Sequence, residues 1–323
     1  MQSRPIRWGI LATGFIADRF TRDLREVPDA AVVAVASRTL PAAEEFAREH
    51  GIKRAYGSWR ELADDAEVDI VYVSTPHSAH YEATRLCLEA GRAVLCEKPF
   101  TLDHATAAEL VDLARARGLF LMEAMWTRTI PAVLRIQELI AEGAIGEVRH
   151  VAANFAFAAT VPPEHRLRAP ALGGGALLDL GVYPVTFAQL FLGPPDHVRA
   201  WGKLFPEGTD QTTGIVLGYD RGAVAVLHCG LNADTDGAVI TGSAGRIEIT
   251  GRFHRPTGFT LIRDGQAEVF DVPVVGEGMC HEAIEAQRCL RAGLLESPLV
   301  PLADTLAIMA TLDEARDQIG VRY

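Results

Sequence analysis

Two short stretches of this sequence carry side chains suited to proton and hydride chemistry, and the first presents a lysine at the end of an apolar run. In CEKPF, Lys98 stands between Glu97 and Pro99. Proline disfavours the α region for the residue before it, so Lys98 is expected to be extended and to point into a cleft or into solvent. The spacing alone favours an exposed lysine paired with Glu97.

The second stretch is GGGALLDLGVYP, in which Asp179 and Tyr183 are four residues apart. Residues at this spacing lie on one face of a helix, so a carboxylate and a phenol are expected to face the same space. The three glycines at 173–175 allow the backbone to begin this helix close to a ligand. Pro184 weakens the prediction of helical geometry at Tyr183, and a tyrosine on an apolar helix is more often a core residue.

Spacing alone does not bring Lys98 to Asp179 and Tyr183, but placed around one substrate the three groups would fit the interconversion of an alcohol and a carbonyl. Hydride transfer from a carbinol carbon requires removal of the hydroxyl proton, and the reverse requires its donation. A phenol has an ordinary pKa of about 10, so Tyr183 can act as acid/base when a cation such as Lys98 favours its phenolate. Asp179 would orient the substrate hydroxyl or the lysine. An alternative makes Lys98 the proton donor and Tyr183 a positioning residue, and both assignments stay open.

Near the start of the chain, GILATGFIA fits part of the G-x-G-x-x-G/A pattern of a dinucleotide-binding loop. Ala12 holds the first glycine position, Gly14 the second and Ala17 the third. At the position of Gly14 the backbone approaches a pyrophosphate, which the N-terminus of the following helix attracts. The alternative is a glycine that opens a strand-to-helix turn for steric reasons alone.

The next strand end lies roughly 20 residues further along, where an NAD enzyme usually carries an acid for the ribose 2′-hydroxyl. Ser37 and Arg38 stand there instead. A hydroxyl and a guanidinium can hold a 2′-phosphate that a carboxylate would repel. The sequence therefore predicts NADP as cofactor, with a solvated loop arginine as the alternative.

An alternation of apolar runs and amphipathic stretches before residue 125 must position these groups. The runs are continuously apolar, which is typical of parallel strands covered on both faces and joined in βαβ units. After residue 125, one helix leads to strand-like segments joined by short turns. The sequence predicts an α/β protein: a doubly wound Rossmann domain over 1–125, and over 126–323 a substrate-binding and dimerisation domain of α+β type with a large, open, mainly antiparallel sheet.

Composition and charge narrow the class of protein. With 323 residues, 49% of them hydrophobic, the chain can bury two cores. A formal charge of −11 without a local basic cluster argues against nucleic-acid binding. No apolar run reaches the roughly 18 residues of a membrane helix and the N-terminus has no signal-peptide core, so a cytoplasmic protein with small-molecule partners is expected. Five scattered cysteines without a CxxC pair indicate neither a disulfide framework nor zinc.

Six motifs, in this order and spacing, resemble the glucose–fructose oxidoreductase/inositol dehydrogenase (Gfo/Idh/MocA) family over essentially the whole chain: GILATGFIA, AVASRT, STPHSAH, CEKPF, EAMWTR and GGGALLDLGVYP. The resemblance is sharpest to the branch of dimeric dihydrodiol dehydrogenases, NADP-dependent D-xylose dehydrogenases and glucose–fructose oxidoreductase. It implies a C-terminal sheet that commonly forms a dimer interface, Lys98 beside the nicotinamide, and a cis bond before Pro99. Many relatives have histidine where this chain has Tyr183, and the tyrosine is the variant of that branch.

The resemblance also implies the residues of the site. Lys98, Asp179 and Tyr183 are the expected catalytic residues, and no metal site is expected. The expected cofactor contacts are Ala12, Gly14, Phe15, Ile16, Ser37, Arg38, Thr75, Pro76, His77, His80, Glu97, Lys98, Trp126 and Arg128. By their own spacing, His80 would pack or hydrogen-bond at the start of a helix and Trp126 would seal the domain junction. Arg166 and Arg168 are either substrate contacts or solvated loop arginines.

The expected function is that of an NADP-dependent dehydrogenase of a sugar or vicinal diol, in a homodimer or a larger homo-oligomer. One alternative is an NADPH-dependent reductase of a keto-sugar or anhydro-keto-sugar, which uses the same residues in the reverse direction. A second is a noncatalytic NADP-binding regulator on the same fold. Such a regulator could dispense with Lys98, Asp179 and Tyr183, and all three are present.

Overall fold

The computed structural model describes residues 4–323, which fold into two compact units. The first unit contains residues 4–101, 105–126 and 275–305. The second contains 102–104, 127–274 and 306–323. The main crossing, after residue 126, lies one residue beyond the boundary expected from the sequence. The segment 275–305 differs from that expectation, because it returns to the first unit.

Helix α8 (Cys280–Arg291) lies in this returning segment, and the cap at its N-terminus explains why it belongs to the first unit. The buried carboxylate of Asp23, at the end of α1 (Phe15–Asp23), accepts hydrogen bonds from the backbone N–H groups of Met279 at 2.8 Å and Cys280 at 3.2 Å. These N–H groups have no acceptor within their own helix. A contact across so long a stretch of chain has no signature in the local sequence.

A six-stranded sheet in the order β3-β2-β1-β4-β5-β6 forms the core of the first unit, and all of its neighbouring strands are parallel. Its strands are β1 (Ile6–Leu11), β2 (Ala30–Ala36), β3 (Arg54–Tyr56), β4 (Ile70–Val73), β5 (Ala93–Glu97) and β6 (Leu121–Ala124). Strands β4 and β5 are buried at every position, as their continuous apolar runs predict. The strand order reverses between β1 and β4, which is where doubly wound sheets bind ligands beyond the carboxyl ends of their strands.

Four further helices follow α1 in this part of the chain. They are α2 (Leu40–His50), α3 (Trp59–Asp64), α4 (His80–Glu89) and α5 (His104–Arg117). Each begins shortly after a strand, so every strand end of the sheet leads directly into a turn or a helix N-terminus. Backbone N–H groups without helical acceptors therefore collect along this edge of the sheet.

An eight-stranded sheet in the order β14-β13-β12-β11-β7-β10-β9-β8 forms the core of the second unit. Its strands are β7 (Val148–Ala156), β8 (His197–Leu204), β9 (Asp210–Gly218), β10 (Val224–Gly230), β11 (Thr235–Gly242), β12 (Arg246–Thr250), β13 (Gly258–Arg263) and β14 (Gln266–Asp271). Only the β7–β10 pair of this sheet is parallel within the described residues 4–323. The predicted hairpins β9–β10, β11–β12 and β13–β14 are confirmed.

Helices α6 (Pro131–Ala141) and α7 (Val182–Leu192) follow residue 126, and α9 (Leu302–Ile319) ends the chain's regular structure. The segment Pro170–Leu192 is long and apolar enough to cross a membrane, with a mean hydropathy of 1.4. However, 89% of its most apolar window is buried inside the protein. That degree of burial is typical of a core helix, and α7 indeed packs on β7 and β10.

The segment Leu177–Gly181, which leads into α7, is π-helical. Pro184 explains why the regular α ladder is interrupted there, because it has no N–H to donate to the carbonyl of Leu180. The helix nevertheless continues through Pro184, which lies in the first turn of α7. Tyr183 is therefore helical, as the sequence predicts, and it follows a π-helical turn that the sequence analysis did not foresee.

Candidate functional site

The loop after β1 forms an open cradle in the first unit. Gly14 directly precedes α1 with a φ of −80°, and a Cβ added to it would meet no atom within 4 Å. Neither backbone geometry nor packing within the protein requires glycine there, whereas close approach of a ligand would. Ala12 has a φ of +90°, a region that favours glycine and costs an alanine about 1–2 kcal/mol. Strained backbone of this kind concentrates at ligand sites.

The first turn of α1 carries the next two predicted contacts, Phe15 and Ile16. Phe15 is 75% exposed, and the guanidinium of Arg19 lies 5.5 Å from the centroid of its ring. Ile16 is half-buried. An exposed phenylalanine at a helix N-terminus gains little from the protein's own core, so a bound molecule is the more effective way to cover it.

The end of β2 carries the predicted 2′-phosphate contacts. The hydroxyl of Ser37 lies 3.2 Å from that of Thr13, which ties the first two strand ends together. Arg38 is exposed and forms no hydrogen bond or ion pair with any residue in 4–323. Its guanidinium is therefore available to a phosphate, which it can bind by two parallel hydrogen bonds.

The end of β4 carries Thr75, Pro76 and His77. Thr75 is 6% exposed, and its hydroxyl has no hydrogen-bond partner within residues 4–323. Leaving a buried hydroxyl unsatisfied costs about 1–3 kcal/mol, so this atom favours a polar ligand at the edge of the sheet. Pro76 directly precedes the short 3₁₀ turn His77–Ala79, and His77 is half-buried there.

His80 has a different position from its predicted neighbours. Its ring is 1% exposed, and its two nitrogens lie 2.8 Å from the carbonyl oxygen of Pro99 and 2.9 Å from that of Thr75. Burial, followed by the charges of His77 and Lys98, lowers the pKa of His80 to about 3. The neutral ring carries one N–H and donates to one of the two carbonyls at a time. In this structure His80 links two strand ends and presents no nitrogen to a cofactor.

Lys98 follows β5 and is half-buried, and the Lys98–Pro99 peptide bond is cis, as the resemblance implies. Glu97 is buried, and its carboxylate accepts hydrogen bonds from the hydroxyl of Tyr72 at 2.5 Å and from the backbone N–H of Lys98 at 3.1 Å. Burial raises the pKa of Glu97, and the charge of Lys98 opposes that rise. The spacing alone favoured an exposed lysine paired with Glu97, whereas Glu97 is buried and Lys98 is half-buried.

A buried acid that the sequence analysis missed lies in α8. Glu282 is fully buried, and neither of its carboxylate oxygens has a hydrogen-bond partner within residues 4–323. Burial, followed by the charges of Glu97, Asp23 and Glu123, raises its pKa well above the ordinary range. Its position in a buried, acid-rich surrounding therefore favours the neutral form of the carboxyl over the charged form.

Trp126 and Arg128 lie in one 3₁₀ turn, Trp126–Thr129, directly after β6. Trp126 is 8% exposed and Arg128 is 6% exposed, so neither is a solvated loop residue.

Arg168, one of the two arginines that precede the glycine segment, has partners within the second unit. Arg168 is held by Glu207 at 2.8 Å and lies over the ring of Phe205, which accounts for its charge without a ligand.

In the second unit, the π-helical segment and α7 carry Asp179 and Tyr183. Both are buried, and four residues make about one turn, so the two side chains lie on the same side of the helix. Arg166, which is largely exposed, donates a hydrogen bond to Oδ1 of Asp179 at 3.2 Å. The pair thus joins a buried carboxylate to a guanidinium that reaches solvent.

Two aromatic neighbours of Tyr183 were not foreseen. Phe155 in β7 and His254 stack on each other at 4.4 Å between ring centroids, and each ring centroid lies 5.4 Å from that of Tyr183. The hydroxyl of Thr127 donates to the backbone carbonyl of His254 at 2.6 Å and holds this loop. An alternation of apolar residues marks Phe155 as a strand residue only, and nothing in the local sequence distinguishes His254.

The sequence matches known families in both units. A model described as an oxidoreductase family with an NAD-binding Rossmann fold matches residues 6–125, and one for the GFO/IDH/MocA C-terminal domain matches residues 133–251. The fold and the open cradle define a dinucleotide-binding oxidoreductase of Rossmann type. The chain belongs to the GFO/IDH/MocA oxidoreductase family.

Individual relatives are similar over almost the whole chain. Trans-1,2-dihydrobenzene-1,2-diol dehydrogenase of Sus scrofa is 40% identical over 98% of both chains. D-xylose 1-dehydrogenase (NADP(+)) of Hypocrea jecorina is 40% identical over 98% of this chain and 93% of its own. A 3-ketoreductase of Actinomadura kijaniata, solved in complex with NADP and TDP-benzene, is 30% identical with a TM-score of 0.85 over 98% of both chains.

Proposed function

We propose that this protein is an NADP-dependent oxidoreductase that transfers hydride between the nicotinamide and a carbinol or carbonyl carbon of a sugar or a vicinal diol. The observation that carries the proposal is the edge of the parallel sheet. There, Gly14 leaves open space, Thr75 presents an unsatisfied buried hydroxyl and Arg38 presents an uncompensated charge. The similarity to a diol dehydrogenase and to an NADP-dependent D-xylose dehydrogenase supports the substrate class.

The residues present fit NADP. The N–H groups at the start of α1 suit the pyrophosphate, and Ser37 and Arg38 suit the 2′-phosphate. Thr75, Lys98 and the buried turn with Trp126 and Arg128 are the proposed neighbours of the nicotinamide half. The remaining predicted contacts Ala12, Phe15, Ile16, Pro76, His77 and Glu97 shape the same edge, whereas His80 is assigned to holding it together.

The protein's own residues would manage charge and protons during the reaction. Bound NADP supplies the hydride acceptor, and NADPH the donor. Tyr183 is assigned as the acid/base for the substrate hydroxyl, and Lys98 stabilises negative charge on the reacting oxygen. Asp179, held by Arg166, accepts a hydrogen bond from a neighbouring substrate hydroxyl. The alternative in which Lys98 itself donates the proton leaves Tyr183 as a positioning residue.

The second candidate function is reduction of a keto-sugar with NADPH. The observation that favours it is the 30% identity to a 3-ketoreductase. Solved structures of that ketoreductase include variants of one tyrosine and of one lysine, the same two residue types that we assign to the reaction. A noncatalytic regulator has less support, because Lys98, Asp179 and Tyr183 are retained.

A substrate panel tests the proposed function. The purified protein is incubated with pentoses, hexoses and cyclic trans-diols with NADP or NAD, and the nicotinamide absorbance is followed. We expect NADP-dependent oxidation of at least one member of the panel. Activity with NAD alone would overturn the cofactor assignment. Tight NADPH binding without any oxidation, together with turnover of a keto-sugar, would favour the reductase.

The protein is further proposed to form a homodimer through the open face of the eight-stranded sheet. The β9–β10–β7–β11 registers place Val216, Val226, Ala152 and Val239 in one row across that face. Trp201 is 75% exposed and Val226 is 47% exposed. A solvent-facing sheet surface is normally polar, so an apolar row of this kind is suited to a second copy of the chain. Sedimentation of the wild type and of Val226→Asp tests the proposal, with a dimer and a monomer as the expected species.

A cytoplasmic location is proposed on the state of the cysteines. All five (Cys87, Cys96, Cys229, Cys280 and Cys289) are buried free thiols. Burial raises the pKa of each, so they react slowly and suit a reducing compartment. Fractionation of the source cells checks this, and recovery of the protein outside the cytoplasm would contradict it.

A further inference from the structure

We propose that Asp210 and Tyr323 are positioning residues that hold the glycine segment 173–175, and thereby set where the helix bearing Asp179 and Tyr183 begins. Neither lies in one of the six family motifs, and both lie in the second unit with the segment they hold. The proposal rests on the roles assigned to Asp179 and Tyr183 under the proposed function.

Asp210, the first residue of β9, is completely buried against the start of this helix. Its Oδ2 accepts hydrogen bonds from the backbone N–H of Leu177 at 2.8 Å and from the hydroxyl of Thr213 at 2.7 Å. Leu177 is the first residue of the π-helical segment. The carboxylate therefore receives a backbone donor that has no acceptor within the helix, and the helix dipole favours its negative charge there.

The other carboxylate oxygen of Asp210 points at the glycine segment. Oδ1 has no hydrogen-bond partner within residues 4–323, and a Cβ added to Gly175 would lie 2.3 Å from it. Gly175 has a φ of +114°, so both its backbone and its neighbour require glycine. Asp210 therefore holds the helix start through Oδ2, while its Oδ1 closes the space beside Gly175.

Tyr323 holds the same segment from another direction. Its hydroxyl donates to the carbonyl oxygen of Gly174 at 2.7 Å, and it would lie 3.4 Å from a Cβ on Gly175. The guanidinium of Arg316, in α9, lies 5.7 Å from the centroid of its ring. The segment is thus fixed by a carboxylate from β9 and by a phenol that follows α9, two elements far apart in sequence.

Asp210 and Tyr323 together form a clamp on the glycine segment 173–175. One backbone hydrogen bond separates this clamp from the proposed catalytic groups. The backbone N–H of Gly175 donates to the carbonyl of Leu167 at 2.9 Å, and the carbonyl of Gly175 accepts from the N–H of Asp179 at 3.4 Å. The carboxylate of Asp179 in turn accepts a hydrogen bond from the guanidinium of Arg166, which precedes Leu167 in the sequence. A shift of the glycine segment therefore moves Asp179 and its arginine together, with Tyr183 one turn further along.

The test compares three variants at the clamp with two matched controls. Asp210→Ala and Tyr323→Phe each remove one hold, whereas Asp210→Asn keeps an acceptor of the same shape. Tyr219→Phe is the control for the phenol, because Tyr219 donates to the carbonyl of Gly193 at 3.1 Å just beyond the far end of α7. Asp23→Ala is the control for the carboxylate, because Asp23 caps α8.

We expect Asp210→Ala and Tyr323→Phe to lower kcat by about tenfold to a hundredfold, since displacement of catalytic groups by about 1 Å has effects of that size. The NADP dissociation constant should stay within about twofold, because the clamp lies in the second unit. The deuterium isotope effect on kcat should rise, measured with D-xylose, or with trans-1,2-dihydrobenzene-1,2-diol if it is turned over faster. Asp210→Asn should recover most of the loss. The controls should lower Tm and leave kcat unchanged.

Three outcomes would overturn the proposal: wild-type kcat in both Asp210→Ala and Tyr323→Phe, equal loss of kcat in the two controls, or loss of kcat in proportion to Tm across all five variants. If Asp210→Ala does not fold, Tyr323→Phe and Asp210→Asn carry the comparison. Full activity of Tyr183→Phe would instead overturn the catalytic assignment on which the proposal rests. If the clamp variants keep wild-type kcat while Tyr183→Phe is inactive, the role of the clamp is rejected and the proposed function is retained.

Discussion

Glycines precede a helix at both proposed sites, but they are there for different physical reasons. Gly14 in the first unit has an ordinary backbone conformation and open space where its Cβ would be. Gly175 in the second unit has a positive φ and a carboxylate oxygen 2.3 Å from its Cβ position. The first glycine makes room for a ligand, whereas the second is required by the protein itself.

The contrast extends to the surroundings of each glycine. The cofactor edge of the first unit consists of the ends of regular strands and the starts of the helices that follow them. The helix start in the second unit depends on Asp210, Tyr323 and a π-helical turn, which are brought together from distant parts of the chain. A site at the ends of regular elements follows from fold rules, and a site held by irregular segments depends on tertiary contacts.

The largest expected effects come from the two proposed catalytic residues. Tyr183→Phe should lower kcat by about 10²–10⁴-fold, which is the usual contribution of a general acid or base. Lys98→Met should lower it by about 10²–10³-fold, because a developing negative charge loses its stabilising partner. NADP affinity, measured by fluorescence titration, should change little in Tyr183→Phe. Near-wild-type turnover in either variant would remove its residue from the mechanism.

The double variant sharpens this result. If Lys98 and Tyr183 assist the same step, the loss of kcat in the double variant should be smaller than the product of the two single losses. Independent roles would give a multiplicative loss. Only Tyr183→Phe should alter the basic limb of the pH profile if the phenol is the acid/base, and only Lys98→Met should do so if the lysine is.

Substitution of the two glycines tests the contrast between the units directly. Gly175→Ala should lower the free energy of unfolding by about 2–4 kcal/mol, because it combines a strained φ with a clash against Asp210. Gly14→Ala should leave stability unchanged or raise it by about 0.4–1 kcal/mol through the unfolded state, while it weakens NADP binding. Chemical denaturation and NADP titration of both variants measure these effects. Equal destabilisation by both would remove the distinction.

Arg38 tests whether the first unit alone selects the cofactor. Arg38→Ala should reduce the ratio of kcat/KM for NADP to that for NAD by about 10–100-fold, because it loses charge-assisted hydrogen bonds to the 2′-phosphate. Arg48→Ala, in an exposed position on α2, is the matched control and should leave the ratio unchanged. An unchanged ratio in Arg38→Ala would mean that another residue determines the preference for NADP.

The smallest expected effects are opposite pH dependences of the free energy of unfolding, caused by His80 in the first unit and by Asp210 in the second. Burial lowers the pKa of His80 from 6.5 to about 3, so the unfolded chain takes up a proton that the folded one resists. His80 therefore contributes stability above pH 6.5, and about 2 kcal/mol of it should be lost between pH 7 and pH 5. Unfolding of His80→Gln, compared with the wild type at each pH, should lack this loss.

Asp210 should behave in the opposite sense. Burial raises its pKa from 3.8 to about 6, so the folded protein takes up a proton that the unfolded chain does not. Stability should rise by about 1 kcal/mol between pH 7 and pH 5, and Asp210→Asn should lack this rise. Tyr323 and Cys229 are the neighbouring titratable groups, and burial raises the pKa of both, so they stay neutral in this range. The same sign of pH dependence at His80 and Asp210 would contradict these assignments.

Much of the first unit could be predicted from the sequence, because the patterns that define its strands and its cofactor loop each lie within a short segment. Apolar runs, the glycine at position 14 and the basic residue after β2 lie within short segments, and a parallel sheet brings strand ends to one edge by rule. The hairpins of the second unit were predictable for the same reason, since each turn lies between the strands that it joins. The family resemblance supplied the roles of Lys98 and Tyr183, which spacing alone did not favour.

The sequence by itself determined the order of the elements, the cradle around Gly14 and the helical spacing of Asp179 and Tyr183. Only the tertiary structure decided that α8 belongs to the first unit, that His80 joins two strand ends, and that Phe155 and His254 surround Tyr183. It also placed Asp210 and Tyr323 on the glycine segment. These contacts join residues that are distant in the chain: the polar ones satisfy buried donors and acceptors, and the aromatic ones bury apolar area.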